Sequence, residues 1–486
     1  MTLSADEVNF LIRRYLQESG FHHTAFMFNS ESLLDQTGLS NIDIPPQSLI
    51  TILKKGMLYM QLEKAINEQS MNSDSPENII NNIMENVKGY DSSTQNNKPS
   101  QRGRPSSNSE HNNNENNDSR NVVKPPDVTI INPENIISLR GHTSSVFCES
   151  WSSDGKYLAT GSGDATVIIW EIKDSKYLSH KVLDHATKQE RDGMDVAAVA
   201  WNKAGTLLAS CCYDGTSRLW TNKGELKFLL QKHTGSVFTV QFSPNDEIML
   251  TGAADGKVIA WDVNAGNEIQ VFANHTKSVN DVDWLDNKTF ASASGDGKIC
   301  ICTIGQQKPK FTLTGHEKDI NKIAWDPSKK ILASCSDDKT IKIFRPYDRV
   351  APATLEGHQG HIYIIKWMPG NQKILASGAF DKTVRVWDVQ NLSCLYTITN
   401  HTSNIFAMSF SLNGEYFVSG DSDGNLFIWR TSDGAMIASF KASGGIFEIE
   451  WNPNGQNIAA VLADATVALI PTNLIPVLNC EQKKCN

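Results

Sequence analysis

The chain has 486 residues, about three times a common domain length, so more than one folding unit is expected. Its 40% apolar and 20% charged residues are ordinary globular values, with no membrane-length apolar run and no signal-peptide start, so the expectation is an intracellular protein. A net charge of -9 argues against a chain that coats nucleic acid over its whole surface, while leaving room for a local basic patch. All 11 tryptophans lie between Trp151 and Trp451, which divides the chain into two compositional regimes. The 9 cysteines sit mostly in apolar stretches such as Cys211-Cys212 and Cys300 with Cys302, so they read as reduced core residues. Cys480 and Cys485 stand away from any histidine or cysteine cluster, and neither a metal nor another cofactor is expected.

In chain order, Ser4 to Glu7 reads as a capping box ahead of a helix. Val8, Leu11, Ile12, Tyr15 and Leu16 follow at helical spacing on one face, and Gly20 stops the run. A second helix with Ala25, Phe26 and Phe28 comes next, and two helices this short cannot bury such a stripe alone. Leu11, Ile12, Tyr15, Leu16, Gly20, Phe21, Thr24, Ala25, Phe26 and Glu31 resemble the LisH dimerisation motif. The resemblance makes Val8, Leu11, Ile12, Tyr15, Leu16, Phe21 and Phe26 the expected oligomerisation surface; an amphipathic helix docked on the rest of the chain is the plainer reading. Pro45-Pro46 opens a further helix with Leu49, Ile52, Leu53, Met57, Met60 and Leu62 on its apolar face. Residues 1–70 therefore form the expected helical module. Residues 71–127, rich in Asn, Ser, Pro and Gln, read as a disordered tether. Within it, Arg102-Gly103-Arg104-Pro105 matches the core of an AT-hook, whose arginines enter narrow A·T minor grooves; nuclear import and a merely solvated linker are the other readings.

The remainder, 128–478, is a repeat array. His142, His233, His275, His316, His358 and His401 each stand nine residues before an aromatic: Trp151, Phe242, Trp284, Trp325, Trp367 and Phe410. His185 precedes Trp201 by sixteen, so the second repeat carries a seven-residue insertion within 187–193. A turn aspartate follows each time, with a bulky residue six positions later: Asp164/Trp170, Asp214/Trp220, Asp255/Trp261, Asp296/Cys302, Asp338/Phe344, Asp381/Trp387 and Asp423/Trp429. An eighth copy, Asp464/Ile470, follows Trp451 and has Ala442 in place of histidine. The alternating runs between these landmarks are short strands joined by hairpins. Each unit of about 42 residues resembles a WD40 repeat, and the fold class is an all-β, eight-bladed propeller behind a small all-α module and a tether.

The WD40 resemblance implies a buried network of histidine, aspartate, hydroxyl and tryptophan in each blade. The hydroxyl lies four residues before the aspartate: Thr160, Ser210, Thr251, Ser292, Ser334, Ser377 and Ser419. The full set is expected in repeats one, two, three, six and seven, including His142–Thr160–Asp164–Trp170, His233–Thr251–Asp255–Trp261, His358–Ser377–Asp381–Trp387 and His401–Ser419–Asp423–Trp429. Blade eight retains only Asp464 and is expected to be the least rigid. A hydrolase triad is the competing reading of these residue types, but a triad occurs once, whereas this set recurs along alternating strands. Asn135 to Arg140 has the character of an outer strand with no blade before it, so it should complete blade eight and close the ring, removing exposed edges.

The WD40 resemblance also implies that the rim of one face is set by the positions at the start of each inner strand and just before each turn aspartate. They give Phe147, Tyr213, Phe238, Tyr363, Phe380, Phe406 and Phe447, with Asp195, Asp319, Asp337 and His361 among them. Aromatic rings beside carboxylates suit a basic, extended peptide, although some of the rings would serve as half-buried packing.

LisH, a proline-initiated F-box-like helix and an eight-repeat propeller in this order resemble the transducin-beta-like (Ebi) family of corepressor subunits. Asp6 to Leu11 and Arg14 to Phe21 carry that likeness at the N-terminus. It implies a nuclear scaffold that associates with an NCoR/SMRT-like corepressor and a class I histone deacetylase; with the LisH stripe expected to form a homo-oligomer, dimer or tetramer, and the rim expected to bind histone tails, the expected function is non-enzymatic. A ubiquitin-ligase substrate adaptor, recruiting the ligase through Pro46 to Leu62, is the alternative. A lissencephaly-like cytoskeletal regulator fits less well, because that family has seven repeats and an intervening coiled coil.

Overall fold

The computed structural model describes Ile12 and residues 128–185, 193–348 and 350–478. The chain divides into two compact units, Met1–Ser119 and Arg120–Asn486. Of the first, only Ile12 is described; it lies in a helix and is half-buried. The other LisH positions, the helix expected over Pro46 to Leu62, the tether with Arg102 and Arg104, residues 187–192 of the insertion and the two C-terminal cysteines lie outside the described residues.

The second unit contains eight sheets of four or five strands, arranged as an eight-bladed propeller. Blade one shows the pattern: Val146–Trp151 innermost, then Tyr157–Ser162, Thr166–Lys173 and Lys176–Asp184, each antiparallel to the last. The inner strands follow one another around the ring, and that of blade eight, Ile446–Trp451, meets that of blade one. Each sheet is packed on both faces by its neighbours, so its middle strands are buried at almost every position, as in Leu207–Cys212 and Asn457–Leu462. After each turn aspartate the backbone enters the left-handed region, from Ala165 at φ 63 to Gly424 at φ 87. At Gly424 a Cβ would meet the Gly444 carbonyl oxygen at 2.5 Å, so glycine is required there.

The core is eight clusters, one at each junction between blades. The aromatic that ends each inner strand packs into the junction with the preceding blade: Trp151 between blades eight and one, Trp201 between one and two, Trp284, Trp325, Trp367, Phe410 and Trp451 onward around the ring, with half-buried Phe242 against the cluster between two and three. Polar side chains stitch the same seams. Glu448 and Glu450 accept from the backbone N–H groups of Glu149 (2.9 Å) and Trp151 (3.1 Å), and Asp281 and Asp283 from those of Ile323 (3.0 Å) and Trp325 (2.8 Å).

Ring closure follows the expectation: Ile137–Arg140 pairs antiparallel with Thr466–Pro471, placing Leu139 opposite Val467. Exposed edges persist, however. The outermost strand of every blade faces solvent on one side, and Lys176–Asp184 is exposed at all positions but one, because closing a ring joins blades face to face and leaves their outer rims unpaired. Blade seven is the exception, since Thr129–Ile130 adds a fifth, parallel strand to Met436–Lys441 and Ile131 enters the core beneath it. Blade eight lacks the polar network, yet its second and third strands are fully buried. Ile131, Ile475 and Leu478 add apolar packing there, so hydrocarbon replaces the missing hydrogen bonds.

Candidate peptide-binding face

Inside blades one, three and six, the predicted networks form. In blade one, His142 Nδ1 lies 3.1 Å from Asp164, Nε2 lies 2.8 Å from Thr160 Oγ1, and Trp170 Nε1–H donates to the same Oγ1 at 2.9 Å. A carboxylate has no proton to give, so Nδ1 carries the hydrogen and Nε2 accepts from the hydroxyl. The same geometry joins His233, Asp255, Thr251 and Trp261, and likewise His358, Asp381, Ser377 and Trp387. Burial alone would raise the Asp164 and Asp255 carboxyls, but hydrogen bonds from the imidazoles and neighbouring N–H and O–H groups hold both at about 2. The Thr160, Ser377 and Ser419 hydroxyls belong to fully buried residues, which removes them as nucleophiles for any substrate.

Two blades depart from the expected pattern. In blade seven, His401 Nδ1 pairs with Asp421 at 2.9 Å, not with Asp423. Asp421 ends the strand beside Ser419 with its side chain facing the imidazole, is fully buried and is held at about 2; Asp423 is exposed and accepts from Thr402 Oγ1 at 2.8 Å. In blade two, Asp214 is exposed and bonds Thr216, while Arg218 takes the inner place, donating to His185 Nδ1 at 2.6 Å and to the His185 carbonyl at 2.7 Å. A guanidinium only donates, so here Nε2 carries the hydrogen and donates to Ser210 Oγ at 2.7 Å. Burial, then the Arg218 charge, pushes His185 well below the usual histidine range.

The rim face is built by one repeated device. In every blade the register between the inner and second strands shifts at the second inner-strand residue, a bulge that turns that side chain away from the pairing plane. The bulged residues are Phe147, Ala197, Phe238, Asn280, Asn321, Tyr363, Phe406 and Phe447. Beside them, the residue after the second strand donates its N–H to the residue before the inner strand, as Tyr213 does to Asp195, Asp337 to Asp319 and Phe380 to His361. All the predicted rim residues therefore lie on one face.

Around this face the chemistry is divided. From blade six to blade one the rings form a continuous arc: His361 stacks on Phe380 (6.1 Å), Phe380 on Tyr363 (5.8 Å), Tyr363 meets Phe406 edge-on (5.1 Å), Phe406 lies 6.2 Å from Phe447, and Phe447 meets Phe147 at 5.3 Å. Tyr213 and Phe238 make a separate pair across blades two and three (5.9 Å). All seven rings are half-buried, so each offers an edge or face while bracing its neighbour. Blades four and five supply the polar sector. Asp337 lies 3.3 Å from His361, Lys277 is 3.7 Å from Asp319, and burial, moderated by Lys277 and reinforced by Asp337, raises the Asp319 carboxyl. Burial, then the Asp164 charge, pushes Asp195 up to about 6. The sequence reading missed Asn280 and Asn321, whose amides donate to the Ile320 and Ile362 carbonyls of the following blade at 2.9 Å. Their place in the repeat marks them; an asparagine at one inner-strand position does not.

Comparison with known proteins agrees with this architecture. Residues 6–32 match the LisH family, and seven segments from 133–171 to 392–430 match the WD domain, G-beta repeat. F-box-like/WD repeat-containing protein TBL1X of Mus musculus is 34% identical over 97% of this chain and 99% of its own length. The chain belongs to the transducin beta-like family. TBL1Y of Homo sapiens is 35% identical over 97% of this chain and 100% of its own length. The C-terminal WD40 domain of Sif2 shares the fold, with a TM-score of 0.63 and 22% identity across 71% of this chain and 99% of that domain. The seven matched segments end at residue 430, so the eighth blade of this family member, which has lost its histidine and hydroxyl, is recognised by its strands rather than by its motif. Among the described residues, no helix is long and apolar enough to cross a membrane.

Proposed function

We propose that this protein is a non-enzymatic scaffold subunit of a nuclear transcriptional corepressor and histone deacetylase complex. Its LisH module makes it a dimer or tetramer, and its propeller face holds extended basic peptides such as histone tails. The single observation that supports this reading is the arc from His361 to Phe147, bordered by Asp337 and Asp319. Aromatic rings take the methylene stems and cationic ends of lysine and arginine, and the carboxylates add charge pairing. The partners are an NCoR/SMRT-like corepressor and a class I histone deacetylase. Arg102 and Arg104 are a further contact for A·T-rich DNA. Oligomerisation raises the effective concentration of propellers along a nucleosome, so individually weak tail contacts become firm.

The F-box-like label carried by the relatives favours one second reading, a ubiquitin-ligase substrate adaptor using Pro46 to Leu62. Affinity purification of the full chain from nuclear extract with quantitative mass spectrometry separates the two. Stoichiometric deacetylase and corepressor without ligase subunits is the expected outcome; ligase subunits without deacetylase would reverse the assignment.

A further inference from the structure

On the face opposite the aromatic arc, the turns of blades five and six enclose a cleft of about 590 Å³. Ser328 to Ile331 join the first two strands of blade five, Arg345 to Asp348 follow its third strand, Gln372 and Lys373 precede the second strand of blade six, and Val389 and Gln390 follow its third. The lining brings together Lys329, Lys330, Arg345 and Lys373 against one carboxylate, Asp348. Lys329 is already engaged, donating to the Trp284 carbonyl at 2.9 Å. Among the described residues, the head groups of Lys330, Arg345 and Lys373 have no hydrogen-bond acceptor and no carboxylate within ion-pair distance. Asp388 lies near Lys373, but its carboxylate turns into its own loop, accepting from Gln390 N, Asn391 N and Asn391 Nδ2 at 2.9 Å each. Tyr347 forms an aromatic wall, 45% exposed and held by Phe311 edge-on at 5.4 Å and by the Lys310 ammonium 4.9 Å from its ring.

The notch between blades two and three on the same face indicates what is missing. It is smaller, about 280 Å³, and contains a carboxylate of the chain itself. Asp246 of blade three reaches to the blade-two turn and accepts from Lys203 N and Ala204 N at 2.8 Å and from Asn202 Nδ2 at 3.1 Å. The corresponding turn of blade six, Met368 to Lys373, has no acidic residue, so the cleft between five and six is left wide and cationic.

We propose that this cleft docks an acidic, extended peptide segment of a partner protein, its carboxylates paired with Lys330, Arg345 and Lys373 and one apolar side chain laid on Tyr347. A nucleic acid fits less well. It draws its affinity from a long series of phosphate contacts, whereas these cations are confined to one cleft on a chain of net charge -9. The propeller thus has a basic site opposite its acidic and aromatic one, and the two take partners of opposite charge without competing.

The test uses the full chain and a fluorescein-labelled decapeptide of glutamates with a central phenylalanine, read by fluorescence anisotropy. Lys330 and Lys373 are exposed, so the double variant Lys330→Glu/Lys373→Glu keeps its fold, and unchanged thermal unfolding confirms this. The expected result is a loss of acidic-peptide affinity of about tenfold or more in the double variant, a severalfold loss in Tyr347→Ala, and unchanged binding of a lysine-rich peptide. Equal binding by wild type and the double variant, no binding by either, or displacement of the peptide by a single-stranded oligonucleotide at lower concentration than by unlabelled peptide overturns the proposal.

Discussion

Asp421, not Asp423, accepts the buried His401 Nδ1–H in blade seven, and the energetic difference between the two carboxylates is measurable. Removing the Asp421 carboxylate leaves the buried His401 Nδ1–H and the Asn425 backbone N–H without their acceptor, which costs about 1–3 kcal/mol; Asp423→Ala, at an exposed turn, should stay within about 0.5 kcal/mol. Urea unfolding of the two variants checks this pair. Glu149 is the converse case. It sits where the other seven inner strands carry Val199, Val240, Val282, Ile323, Ile365, Met408 and Ile449, each opposite the network hydroxyl position of its second strand. It is 5% exposed, and neither of its carboxyl oxygens has a partner within hydrogen-bond geometry, although the Glu450 backbone N–H across the seam offsets a small part of the burial. Burial, then Glu450 and Glu448 across the seam, raises its carboxyl well above the usual 4.5, and burial and Glu448 push Glu450 up to about 7 against the opposing Lys366 charge. A carboxyl with a raised folded pKa binds its proton more tightly in the native state, so stability falls as pH rises from about 4.5 through 7. Glu149→Met, copying the blade-seven residue, should raise the melting temperature at pH 7 and flatten its decline between pH 5 and 8, as followed by calorimetry. The sequence alone concealed both cases: a fixed six-residue spacing to Trp429 selects Asp423, and Glu149 differs from its counterparts only once strand register aligns it with them.

At the scale of elements, the repeat was readable because blades one to seven repeat a histidine, a hydroxyl and an aromatic at nearly constant separations, blade two excepted by its insertion, and those separations are strand and hairpin lengths. The closing strand was readable for the same reason, as an outer strand lacking its blade. The parallel strand Thr129–Ile130 was not, since two residues have no period and their pairing with Ala438 and Ser439 depends on contacts some 300 residues away in sequence. Nor was the Arg218 substitution in blade two, because Asp214 still stands at the motif position while its side chain faces water. A charge in the closing strand should open the ring: Leu139→Asp, at a residue 2% exposed, is expected to cost about 3–5 kcal/mol. Ile130→Asp, at a residue 82% exposed, should be nearly neutral, and thermal unfolding of both variants compares them directly.

For the whole molecule, oligomerisation through residues 1–70 and peptide binding on the two propeller faces are proposals that can be tested separately. If the stripe beginning at Val8 holds copies together, charged replacements of Leu11 and Tyr15 should reduce the mass measured by light scattering to that of a monomer; an unchanged mass removes oligomerisation through this stripe. The rim aromatics were placed from sequence because the bulge recurs in every blade, whereas the division into an aromatic arc and a polar sector emerged only when the blades were set in a ring. The most direct measurement is a titration of a labelled, lysine-rich histone-tail peptide against the full chain and its Phe147→Ala/Tyr363→Ala/Phe406→Ala variant. If each ring is an anchor whose truncation costs more than about 1 kcal/mol, the expected result is an affinity loss on the order of 100-fold with the fold retained. Full retention of peptide binding by the folded variant would contradict it.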